Sequence, residues 1–109
     1  MKRSIQSNQR HVVTLSFIAN AAGTALTGLD AAQVTMADTG TGVKTITLSE
    51  PLQDMVVQAT AGTDDVSTVV SVTNSTTIVI TTNSTEAGAA PTDGITHVTI
   101  HGSKVADRL

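Results

Sequence analysis

Three histidines, an acidic pair and a scatter of hydroxyls are the groups in this 109-residue chain whose types could carry chemistry. His97 and His101 fall on one face of a strand-like segment, together with Ile95 and Thr99. At about 3.3 Å per residue, their Cα atoms would stand roughly 13 Å apart. A zinc ion holds its ligands at about 2 Å, so one ion does not easily take both. His11 would join either of them only through the fold. The simpler reading is a pair of exposed or interface histidines. Asp64 and Asp65 offer oxygen ligands of the kind calcium takes, and the oxygen-rich stretch 38–41 would have to help complete the shell. The spacing follows no calcium loop, and Asp, Thr and Gly are also what turns are made of. No metal or other cofactor is expected.

Ser, His and Asp all occur, so a nucleophilic triad can be drawn, but the chain has no Gly-x-Ser-x-Gly elbow. It also lacks a phosphate-cradling loop and a dinucleotide-binding glycine pattern. Cysteine is absent, which excludes disulfides and thiolate metal sites. Thr-Asn-Ser-Thr occurs at 73–76 and again at 82–85. Each holds a glycosylation sequon, but two turns of similar chemistry explain the repeat more simply. The expectation is a protein that is not an enzyme.

Composition narrows the class further. The net charge of −3 argues against an electrostatic nucleic-acid binder. Phe17 is the one aromatic residue, so the chain has no rings on which to stack sugars or unpaired bases. No stretch approaches the roughly 20 apolar residues of a membrane span. The polar, basic beginning lacks the apolar run of a signal peptide, so classical secretion is not expected. Thr supplies 20 of the 109 residues and Val is also abundant; both are β-branched and suited to strands.

The elements that would position these groups read as strands at short spacing. Over residues 11–19, Val13, Leu15 and Phe17 share one face, while Val12 and Ile18 share the other. Residues 24–32 are small and Ala-rich, with Leu26 and Leu29 three apart, and predict a short helical turn. Strands are predicted over 33–37 and 43–49, joined by a turn at 38–42, with Ile46 and Leu48 on one face. Pro51 ends that strand. Residues 55–61 form the next. The clearest hairpin joins 66–73 to 76–82 through Asn74 and Ser75. A Gly/Ala/Pro loop over 86–94 leads to a last strand, 95–101, which ends at Gly102. Six or seven short strands with frequent turns predict an all-β fold, an antiparallel β-sandwich or small barrel, over a single domain of residues 11–109.

Residues 1–10 read as a flexible arm, with Lys2, Arg3 and Arg10 among Ser, Gln and Asn. Such a segment is either a disordered terminus or an arm that orders on a partner subunit, with those three cations as its contacts.

The second half resembles small virion proteins of tailed bacteriophages. The resemblance rests on Val43-Lys44-Thr45-Ile46-Thr47-Leu48, the Val/Thr hairpin over 66–82, the loop Gly88-Ala89-Ala90-Pro91-Thr92-Asp93-Gly94 and the final strand over 95–100. It covers roughly residues 43–101, and His97 and His101 depart from the aliphatic residues expected there. The resemblance implies a capsid decoration, cement or head-fibre protein. Such a protein is assembled in the host bacterial cytoplasm and carried on the virion. It binds the major capsid protein or other virion proteins, and neither nucleic acid nor membrane. It implies self-association as well, with a homotrimer favoured and edge strands such as 33–37 covered by a neighbouring copy. A tail, neck or fibre-base component and a receptor- or glycan-binding adhesion module are the rival functions, and the missing aromatics weigh against glycan binding.

Overall fold

The computed structural model describes residues 12–86 and 90–104. Its strands are β1 (Val12–Ala19), β2 (Leu26–Thr27), β3 (Val34–Gly40), β4 (Val43–Leu48), β5 (Leu52–Ala61), β6 (Val66–Asn74), β7 (Thr77–Ser84) and β8 (Thr96–Lys104). They form two antiparallel four-stranded sheets, ordered β2-β1-β8-β5 and β3-β4-β7-β6. The expected sandwich is therefore present as two separate sheets, with the two-residue β2 added to seven longer strands.

Period-two alternation decides what each sheet buries. Phe17, Val98 and Ile100 from the first sheet meet Val34, Ile46, Leu48, Ile78 and Ile80 from the second in one core that is aliphatic apart from Phe17. β-Branched and γ-branched side chains fill the space that aromatic rings occupy in many sandwiches. Burying each such side chain contributes about 1.5–3 kcal/mol.

The structure corrects several element boundaries. The short helical turn expected in residues 24–32 is found only at the end of that stretch, as a 3-10 turn at Ala31–Gln33, while Leu26 and Thr27 form β2. Asn20 closes the preceding loop by accepting hydrogen bonds from Thr24 N and Ala25 N at its Oδ1, 2.9 and 3.1 Å away. The β3 strand runs through the expected turn to Gly40. The β5 strand starts at Leu52, because a bulge between Gln53 and Val56, with Asp54 at φ 55°, lets both Leu52 and Met55 pack inward. The β8 strand does not end at Gly102. A Cβ there would lie 3.0 Å from that of Leu52, so glycine keeps the strand flush with β5. Of the two Thr-Asn-Ser-Thr repeats, only the first is a turn: Asn74 Oδ1 accepts from Thr76 N at 2.9 Å, whereas Asn83 lies within β7.

Candidate interaction surface

The registered outer rows of the two sheets hold no Asp, Glu, Lys or Arg. Across the second sheet, registered rows read Ala37, Thr45, Val79, Ser71 and, one step along, Val43, Thr81, Val69. Across the first they read Thr14, His101, Val56, then Ser16, Thr99, Gln58, then Ile18, His97, Thr60. None of these positions holds a carboxylate, an ammonium or a guanidinium. Most of the charged side chains among the described residues sit instead in loops and at strand ends, as Asp30, Glu50, Asp64, Asp65, Glu86, Asp93 and Lys104 do. Thr, Ser and Val in alternation are what a pleated strand favours. The outcome is a pair of broad faces that offer hydroxyls and methyls and little electrostatic cost to a partner that desolvates them.

Lys44 is the exception to the sign of every pattern in its strand. It lies on the inner face of β4, in line with Ile46 and Leu48, and is only 1% exposed. Its Nζ donates to the Gly94 carbonyl at 2.9 Å. Burial pushes the ammonium below its ordinary pKa, and the carboxylates of Asp93 and Asp38 raise it back in part. The same end of the sandwich is closed by the segment around Thr92. Thr82 Oγ1 donates to the Thr92 carbonyl at 2.6 Å, Thr92 N donates to the Thr82 carbonyl at 3.1 Å, and Gly42 N donates to Asp93 Oδ1 at 2.7 Å. Gly42, at φ 72°, has no room for a Cβ against the Thr82 carbonyl and Thr92 N. The buried hydroxyls of Thr68 and Thr96 have no hydrogen-bond partner among the described residues. This cluster anchors the 90–94 segment to β4 and β7.

The residues singled out by chemistry do not converge. His97 and His101 both face outward on β8, separated by Thr99, and Thr14 Oγ1 lies 3.3 Å from His101 Nδ1. Asp65 takes φ 62° in the turn before β6, and its carbonyl accepts from Thr85 N at 2.9 Å. Asp38 stands opposite Lys44 on β3, with Gly40 N on its Oδ1 at 3.2 Å. Among the described residues no three His, Asp or Glu side chains gather into a metal-binding group. No helix among them is long and apolar enough to cross a membrane. Lys2, Arg3, Arg10 and His11 lie outside the described residues. Sequence reasoning missed Lys44, because a lysine in an alternating strand reads as a solvent-facing residue.

No protein-family model, no curated protein and no solved structure matches this chain.

Proposed function

We propose that this chain is a non-enzymatic structural module of a bacteriophage virion, a capsid decoration or cement protein that binds the outer surface of the assembled head. The observation that supports this most is the pair of sheet faces whose registered outer rows hold Thr, Ser, Val and His but no Asp, Glu, Lys or Arg. A protein that acts by contact needs desolvatable area and satisfied hydrogen bonds at the rim, not a reactive centre. Such a module stabilises a shell by mass action, because it binds the assembled lattice and not the free subunits. Lys2, Arg3 and Arg10 would add contacts to carboxylates on a neighbouring subunit. Exposed ion pairs contribute only about 0–1 kcal/mol each, so the sheet faces and the avidity of a homo-oligomer must supply most of the affinity.

The test is co-sedimentation of the purified chain with assembled shells and, separately, with unassembled capsid subunits. The proposal expects binding to shells alone, with lower occupancy after deletion of residues 1–10. A chain that does not sediment with shells is not a decoration protein.

A further inference from the structure

The open edge of β6 has the properties of a self-pairing strand. Among the described residues β6 pairs with β7 alone and ends its sheet. The other sheet edges are interrupted. The β5 edge is bulged between Gln53 and Val56 with Asp54 at positive φ, and the β3 edge carries the charged Asp38 beside its register shift to Gly40. At the β1 edge, β2 is two residues long and Ser16 N is occupied by the Asp30 carboxylate at 2.8 Å. Such bulges, inserted charges and short strands are the devices by which sheets avoid pairing with one another. From Val66 to Val72 the β6 strand has none of them, and its only irregularity lies at the hairpin end, between Val72 and Asn74.

The direction of its backbone groups follows from the neighbouring bonds. Thr85 N donates to the Asp65 carbonyl, and Thr82 N donates to the Gly42 carbonyl. On β7, then, even-numbered residues bond β4 and odd-numbered residues bond β6. On β6 the odd-numbered residues face β7, and the N–H and C=O groups of Val66, Thr68, Val70 and Val72 point to the open side. The segment they belong to, Val-Ser-Thr-Val-Val-Ser-Val, is close to a palindrome about Val69.

We infer that β6 pairs antiparallel with β6 of a second copy, about a two-fold axis at Val69, joining two β3-β4-β7-β6 sheets into one. In that register Val66 opposes Val72, Thr68 opposes Val70 and Ser67 opposes Ser71 of the other copy. Every pair is matched in size, no like charges meet, and inward-facing side chains stay on the inward side. Val66 with Val72 and Thr68 with Val70 become hydrogen-bonded pairs that occupy the outward groups of both strands. Val69 then faces its own counterpart at a non-hydrogen-bonded position, where side chains approach most closely. An isologous contact of this kind closes at two copies. A trimer would need a different surface, and β6, not the β3 edge that carries the charged Asp38, is the edge a neighbouring copy covers.

The absence of cysteine makes the register directly testable. Val69 is 58% exposed, and Ser71 is exposed on the same face of the same strand. Under mild oxidation, Val69→Cys is expected to form a disulfide-linked dimer. Ser71→Cys, whose counterpart lies across from Ser67, is expected to stay uncrosslinked. In sedimentation at tens of micromolar the unaltered chain is expected to run as a dimer, and Val69→Lys, which sets two ammonium groups face to face, as a monomer with an unchanged strand spectrum by circular dichroism. An unaltered chain that runs as a monomer, or a Ser71→Cys chain that crosslinks as fast as Val69→Cys, overturns the inference. If Val69→Lys loses its fold, the two cysteine variants decide alone. The pairing does not depend on the virion reading: a chain that dimerises but ignores shells removes that reading and leaves this one standing.

Discussion

The inner and outer faces of the same strands follow opposite rules. On β7, Ile78, Ile80 and Thr82 point inward and are fully buried, while Thr77, Val79 and Thr81 point outward and stay partly exposed. Inside, each position is fixed by neighbours on the facing sheet, so volume and hydrogen bonding are specified atom by atom. Outside, Thr, Ser and Val alternate with no unique partner. Stability is concentrated on one face and the capacity for contact on the other. A substitution should therefore damage folding or binding according to the parity of its position.

The largest effect is expected in the aliphatic core. Ile80→Ala removes a fully buried side chain between the sheets and should cost about 2–5 kcal/mol in urea unfolding. A loss under about 1 kcal/mol would mean that the sheets are not packed on this residue.

Lys44 tests the polar end of the same interior. Lys44→Ala should cost about 2–4 kcal/mol, from the lost stem and an orphaned Gly94 carbonyl. Lys44→Met keeps the volume and removes the buried charge, so it should cost less. The pH dependence has a definite sign. The folded pKa lies below the unfolded one, so between the two the unfolded chain binds more protons and stability rises with pH. The gain is complete above the ordinary lysine value of about 10.4 and is lost as pH falls through the depressed folded value. Denaturation curves across the alkaline range should show this rise in the unaltered chain and a smaller one in Lys44→Met.

Two buried threonines should then separate. Thr82→Val deletes the donor to the Thr92 carbonyl and should cost about 1–3 kcal/mol. Thr96→Val deletes a hydroxyl that has no partner and should be neutral or stabilising by up to about 1 kcal/mol. Equal losses at the two positions would show that Thr96 is hydrogen-bonded after all.

The smallest effect on folding, and the largest on contact, belongs to the outer face. Thr45→Lys should change stability by no more than about 0.5 kcal/mol. If that face docks on a shell, the variant should lose occupancy on particles in the co-sedimentation assay. Unchanged occupancy would move the contact to another surface.

Much of this architecture was legible from alternation alone. The hairpin of β6 and β7 and the inward set Val13, Leu15, Phe17 follow from period two. Strand ends were less legible, because they depend on distant residues: β8 continues past Gly102 by pairing with Val12 and Val13 of β1 and with Leu52 and Gln53 of β5, and Leu52 leaves no room for a side chain at 102. Lys44 was hidden for the same reason, since its acceptor at Gly94 is 50 residues away in sequence. The edge properties of β6 needed the sheet order before the near-palindrome in its sequence acquired meaning. No side-chain motif points to function, and the Thr, Ser and Val of the proposed contact surface are the residues that build any strand.

The virion reading is tested most directly by labelling purified virions with an antibody against this chain and imaging them by electron microscopy. Label distributed over the head shell is the expected result. Particles that carry no label, or label confined to the tail, would contradict it.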